Sequence, residues 1–151
     1  MSSAAESASA PVESCSIFGA VDALGDSWSI LVLRELFYGV HRFNDIQRDL
    51  GISRSVLTER LNRLVSLGVA KVVPYQQPGA RVRHEYRLTR KGVALLPVMV
   101  ALMEWGDRYV NDGVGTVRLE QRGTGEVVHV ELRAGDHPVE PNEIVPVVLP
   151  A

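Results

Sequence analysis

Between residues 42 and 91 of this 151-residue chain, eleven lysines and arginines stand against four aspartates and glutamates, a local balance of +7. Residues 1–41 carry −4 and residues 92–151 carry −5, so the overall charge of −2 conceals a basic block between acidic flanks. Cations concentrated in this way make a footprint for a polyanion; an ordinary solvated face is the competing reading. Inside the block, Arg54, Ser55, Thr58 and Glu59 have the spacing that brings them to one side of a helix. Their chemistry suits base edges: Arg forks onto guanine, Glu accepts from the cytosine amino group, and Thr meets the thymine methyl. Arg42, Asn44, Arg63, Arg81 and Arg83 suit phosphate contacts, Arg81 and Arg83 also an adjacent minor groove. Arg60, on the flank of an apolar stripe, fits a structural ion pair better than a nucleic-acid contact.

The elements that must position these groups can be read from periodicity and punctuation. Residues 16–24 form a helix with Ile17, Val21 and Leu24 on one face. Gly25-Asp26-Ser27 breaks it, with Asp26 or Ser27 as cap for a strongly apolar core helix over 28–38 that contains Ile30, Leu31, Leu33, Leu36 and Phe37. Trp28 reads as packing. Residues 42–50, with Phe43, Ile46 and Leu50, predict a short helix; Gly51-Ile52 turns the chain; Ser53 caps a helix to about residue 67 with Leu57, Leu61 and Leu64 inward. Two short helices across a tight glycine turn are a helix-turn-helix pattern. Residues 69–75 and 81–88 then read as strands about a Pro-Gly turn, a hairpin with a basic tip. The expected fold class is α+β, mainly α: a winged helix-turn-helix with a C-terminal dimerisation helix and an added C-terminal β-hairpin.

That dimerisation helix is entered through Thr89, with Pro97 marking a break or kink. It has two apolar stripes. Val93, Leu96, Val100 and Met103 can face the core, leaving Leu95, Met99, Leu102 and Tyr109 for a second copy of the chain. Beyond residue 111, residues 114–121 and 126–132 alternate about Arg122-Gly123-Thr124-Gly125 and predict the added hairpin; the proline-bearing stretch 136–151 is expected to be extended. The domain reading is therefore a disordered tail over 1–13, a DNA-binding and dimerisation domain over 14–111, and a hairpin with an extended tail over 112–151.

These motifs resemble the HxlR family of winged-helix regulators, relatives of the MarR group. The resemblance runs from about Cys15 to Tyr109 and rests on Leu24-Gly25-Asp26-Ser27-Trp28, Leu33-Arg34-Glu35-Leu36 and Arg42-Phe43-Asn44-Asp45-Ile46. It continues in Gly51-Ile52-Ser53, Leu57-Thr58-Glu59-Arg60-Leu61, Leu67-Gly68, Glu85-Tyr86-Arg87-Leu88-Thr89 with Gly92, Leu96-Pro97 and Trp105-Gly106. It implies a homodimer that binds double-stranded operator DNA and regulates transcription, as a repressor in the favoured reading, in response to a small molecule or an oxidant. Ser27 departs from the lysine the family commonly has before the tryptophan, which removes a positive charge there. The resemblance also makes Cys15 a candidate redox sensor. At a helix N-terminus its thiol gains nucleophilic character, against the plain reading of a small apolar residue.

Other functions find little support. The chain lacks GxGxxG, GxSxG and HExxH patterns, so no catalytic residues are expected. Four separated histidines and a single cysteine give no metal-ligand spacing, and no cofactor is expected. The C-terminal hairpin has no cysteine pair to hold zinc. A winged helix used only for docking proteins would explain the fold, but not the +7 block. The longest apolar-rich stretch, 93–103, is too short to span a bilayer, and no secretory signal is legible at the start; one cysteine fits a reducing, cytoplasmic setting.

Overall fold

The computed structural model describes residues 11–147. The chain runs α1 (Ser16–Leu24), α2 (Ser27–Phe37), α3 (Phe43–Leu50), α4 (Arg54–Ser66), β1 (Ala70–Tyr75), β2 (Arg83–Leu88), α5 (Arg90–Val93) and α6 (Leu96–Tyr109). Two residue pairs, β3 (Arg133–Ala134) and β4 (His137–Pro138), form a small C-terminal ladder. Of the segment expected as a disordered tail, residues 1–10 lie outside the described residues, while Val12–Ser14 form a 3-10 turn leading into α1.

The local causes of these elements are mostly cap chemistry. Asp26 caps α2 by accepting from the Ser29 amide at 3.0 Å, and Ser53 caps α4 by accepting from the Val56 amide at 3.3 Å. Between α3 and α4, Gly51 takes φ +61°, the left-handed conformation that ends one helix and lets the next start within a few residues. Thr89 caps α5 through the Gly92 amide, and its hydroxyl donates back to the Gly68 carbonyl at 2.6 Å. Gly92 is buried because its Cα meets the Val69 carbonyl; a β-carbon there would lie 2.2 Å from that oxygen.

The core is one cluster. Val32, Leu33 and Leu36 of α2, Ile46 of α3, Ile52 of the turn, Leu57, Leu61 and Leu64 of α4, and Val69 and Ala70 at the start of the wing are all buried. Trp28 packs against its edge. The inward stripe of α4 is the one periodicity predicts, so the opposite face of that helix must be presented to solvent. β1 and β2 pair antiparallel from Ala70 opposite Leu88 to Tyr75 opposite Arg83. The base of this wing is tied to the helical layer, because the Tyr86 amide donates to the His41 carbonyl at 2.8 Å and Arg42 bridges to Glu85. No single helix among the described residues is long and apolar enough to cross a membrane.

Two expectations need correction. Of the break or kink expected at Pro97 the structure has the break: α5 stops at Val93 and α6 begins at Leu96 with the proline in its first turn, where a missing N–H costs nothing. One helical wheel drawn across residues 93–109 therefore mixes faces. Leu95 and Met99, assigned to a second subunit, pack against the domain's own core, and Val93 is exposed. The outward stripe of α6 is instead Val98, Leu102, Trp105 and Tyr109, each about half exposed or more. The C-terminal hairpin is also reduced. Residues 121–126 make the turn, with the Gln121 amide donating to the Glu126 carbonyl and the Val128 amide to the Leu119 carbonyl. Only Glu120 and Val127 pair as a bridge, and the regular ladder lies later, at β3 and β4.

Candidate nucleic-acid interface

The exposed face of α4 is where the base-reading residues were expected. Arg54, Ser55, Thr58, Glu59 and Asn62 are all exposed and line one shallow open surface. For Ser55, Thr58, Glu59 and Asn62 this follows from the buried Leu57, Leu61 and Leu64 on the other side of the same helix, and for Arg54 from its place in the first turn. Thr58 donates its hydroxyl to the Arg54 carbonyl at 2.8 Å, which leaves its methyl and an acceptor oxygen for a ligand. Ser55 and Ser53 hydroxyls lie 3.3 Å apart at the N-terminal turn. Glu59 is exposed, with one oxygen 2.8 Å from an Arg60 nitrogen.

Arg42 and Asn44 are exposed at the start of α3, and Arg81 and Arg83 are exposed on the wing. Arg42, Asn44 and Arg83 share one concavity of about 360 Å³ with Phe43, Asp45, Tyr75 and His84. α3 and the wing are thus adjacent, and the expected backbone contacts from these two elements lie on one surface. Arg81 sits nearer the tip, where the Gln76 side chain donates to the Ala80 carbonyl at 3.0 Å and steadies the turn.

Arg63 is not on that surface in the way expected. Its guanidinium reaches back to the end of α1, with Nε donating to the Ala23 carbonyl at 2.8 Å and Nη2 to the Asp22 carbonyl. Gly25, at φ +92°, lets it in: a β-carbon there would sit 3.1 Å from Arg63 Nε. The orphan carbonyls at a helix C-terminus attract a cation, and α1 ends within reach of α4. Arg60 is likewise turned inward and ion-pairs with Asp26, its side chain 18% exposed. Partial burial pushes the Asp26 carboxyl up, but the Arg60 guanidinium and the Ser29 amide outweigh it and hold the group below its ordinary 3.8.

Several other cations of the block are also engaged within the chain. Arg48 pairs with Asp45 at 2.9 Å and Asp49 at 3.0 Å, Arg87 with Glu85 at 2.7 Å, and Lys91 caps α4 by donating to the Leu67 carbonyl at 2.7 Å. Charge density along the sequence cannot separate these from the arginines left for a ligand. Behind the wing, His41 is kept below its ordinary value of 6.5, first by burial and then by the nearby Arg87, against an opposing pull from Glu85.

Away from this surface, Cys15 is half-buried and occupies the cap position of α1, with no side-chain cap bond. Ile17, Phe18 and Val21 of α1 are exposed. Periodicity had marked Ile17 and Val21 as one apolar face, without a sign that it would lie uncovered. Between α2 and α6 lies a cavity of about 390 Å³ lined by residues that include Ile30, Leu31, Phe37, Met99, Leu102 and Met103.

The HxlR-like helix-turn-helix family model matches residues 23–113, more than half of the chain. A protein of Mycobacterium tuberculosis (strain CDC 1551 / Oshkosh), described as an uncharacterized HTH-type transcriptional regulator, is 43% identical over 112 residues. Those residues are 74% of this chain and 70% of that one. Among solved structures, PA1607, a candidate transcription factor, superposes with a TM-score of 0.77 at 38% identity, covering 89% of this chain and 94% of its own. That match extends into the C-terminal region beyond the family model. HypR, a redox regulator in its reduced form, superposes with a TM-score of 0.56 at 25% identity over 66% of this chain and all of its own.

Proposed function

The chain belongs to the HxlR-like helix-turn-helix family and is a DNA-binding transcriptional regulator, and from that premise we propose how it reads its operator. The α4 face enters the major groove of double-stranded DNA, with Arg54, Ser55, Thr58 and Glu59 at base edges. Arg42, Asn44 and Arg83, which share one concavity beside that face, hold phosphates, and Arg81, nearer the tip of the wing, holds the backbone or adjacent minor groove. The observation that carries this reading is the exposed face of α4 joined, where Arg54 lies over the Phe43 ring, to the concavity between the start of α3 and the wing. Arg63, held by the carbonyls at the end of α1, and Arg60, paired with Asp26, are left out of it.

A gel shift or anisotropy titration at several salt concentrations, using duplex from the region upstream of the protein's own gene and a scrambled control, tests the reading. Specific binding with a steep salt slope is expected. Arg54→Ala should relax the preference at one base position, and Arg81→Ala should weaken all duplexes and lower the slope by about 0.9. Equal affinity of the wild type for operator and scrambled duplex would overturn it.

The working unit is a homodimer in the cytoplasm, joined through the exposed apolar residues of α6, Leu102 and Tyr109 among them, together with those of α1. It acts as a repressor with two candidate inputs. An apolar small-molecule effector fits the cavity between α2 and α6, because a ligand there would separate the core from the dimer helix. Oxidation of Cys15 is the other, supported by the likeness to HypR. With one cysteine per chain, the disulfide would join two copies, two thiols losing two electrons and two protons to the oxidant. Diamide treatment followed by a non-reducing gel tests it; an unchanged monomer band rules it out.

A further inference from the structure

We infer that Phe43 and Tyr75 are positioning residues for DNA recognition, each a ring platform that presents an arginine to the duplex. The inference rests on the DNA-reading surface proposed above. The Arg54 guanidinium carbon lies 4.9 Å from the centre of the Phe43 ring, and that of Arg42 lies 4.6 Å from the centre of the Tyr75 ring. Both distances are within the reach of a cation–π contact. Each stack crosses between elements, α4 to α3 in the first case and α3 to β1 in the second. Together they link the base-reading turn to the wing, where Tyr75 faces Arg83 across the ladder.

The choice of partner matters chemically. Arg48, Arg60 and Arg87 are held by carboxylates, and Arg63 by backbone carbonyls. Those contacts consume the N–H fork that would grip guanine or a phosphate. Among the described residues neither Arg42 nor Arg54 ion-pairs with a carboxylate; each is held by a ring instead. A ring face attracts the π-surface of a guanidinium and leaves its N–H donors free at the edge. The side chain is thereby restricted before DNA arrives without being competed for, which reduces the ordering cost of binding. An exposed arginine without a platform would have to be ordered by the DNA itself.

The two rings should act differently, because their arginines do. The test uses the full-length protein and duplexes recovered from a randomised pool by the wild type. Phe43→Leu retains apolar packing and removes the ring. It should lower affinity for the selected duplex by about two- to fivefold, the range of an exposed cation–π contact, leave affinity for random duplex unchanged, and relax the base preference assigned to Arg54. Tyr75→Leu should lower affinity for selected and random duplexes by the same factor. Phe43→Tyr and Tyr75→Phe, which keep the rings, should restore both.

The decisive measurement is a double-mutant cycle. In an Arg54→Ala background Phe43→Leu should have no further effect, and in an Arg42→Ala background Tyr75→Leu should have none. Equal losses with and without the arginine would overturn the inference, as would wild-type affinity in Phe43→Leu and Tyr75→Leu. Thermal melting is read in parallel, and Tyr75, on the wing and outside the buried cluster, keeps the test open if Phe43→Leu melts early. If the wild type recovers no preferred duplex, the proposed function falls. If it recovers one and the cycles are additive, only the platforms fall.

Discussion

Replacing Arg63 with alanine separates the two roles this residue could have. As a phosphate contact, its loss would reduce the salt slope of DNA binding by about 0.9 and leave the fold intact. As the structure has it, the guanidinium satisfies two carbonyls at the end of α1, one of them at 2.8 Å. Hydrogen bonds from a charged donor contribute about 1.5–3 kcal/mol each when shielded. The site is exposed, so water replaces much of what is lost, and a total of about 1–2 kcal/mol is the expected destabilisation. For a chain of this length each kcal/mol moves the melting midpoint by roughly 2–4 °C, so Arg63→Ala should melt about 2–8 °C lower. Circular dichroism melting reads that shift, and anisotropy titrations at several salt concentrations read the slope. An unchanged midpoint together with a slope reduced by about 0.9 would refute the latch and return Arg63 to the DNA.

Three further outcomes follow from the same coordinates. His41 is held below 6.5 in the folded state, so the fold binds fewer protons than the unfolded chain; its contribution is complete above that value and is lost as pH falls through the lowered one. His41→Gln should flatten that part of the stability–pH profile, and a profile identical to the wild type would count against it. On α6, Leu102→Glu should yield a monomer by light scattering at unchanged helix content, whereas Met99→Ala should leave the oligomer intact and cost about 1–3 kcal/mol in denaturant melts, because Met99 faces the core. Gly92→Ala puts a methyl 2.2 Å from the Val69 carbonyl, a backbone atom that cannot swing aside, and should cost about 3 kcal/mol or prevent folding, measured as the urea midpoint.

How far the chain could be read in advance depended on the range of the interaction concerned. Caps and periodicity are local, so α1 over Ser16–Leu24, the Ser53 cap and the inward stripe of α4 were legible from neighbouring residues. The base-reading face followed at once, since a helix that buries Leu57, Leu61 and Leu64 turns Ser55, Thr58 and Glu59 outward, and Arg54, in line with the buried stripe, is left exposed by its place in the first turn. The C-terminal region was harder: alternation in 114–132 is present, yet a strand needs a covered face to hold a ladder, and Val114, Val117, Val127 and Val130 remain exposed.

Taken alone, the sequence determined the order of the elements, the family and the location of the basic block, because each depends on residue type and spacing along the chain. What each cation does was decided only by tertiary structure. Arg63 and the carbonyl of Ala23 are forty residues apart, Arg60 and Asp26 meet across α4 and α2, and Arg54 finds Phe43 across a turn. The same is true of α6, where the break before Leu96 resets the helical phase and moves Leu95 and Met99 into the core. Charge and hydropathy are properties of single residues, but the partner that spends a charge or covers an apolar face is set by where the chain returns in space.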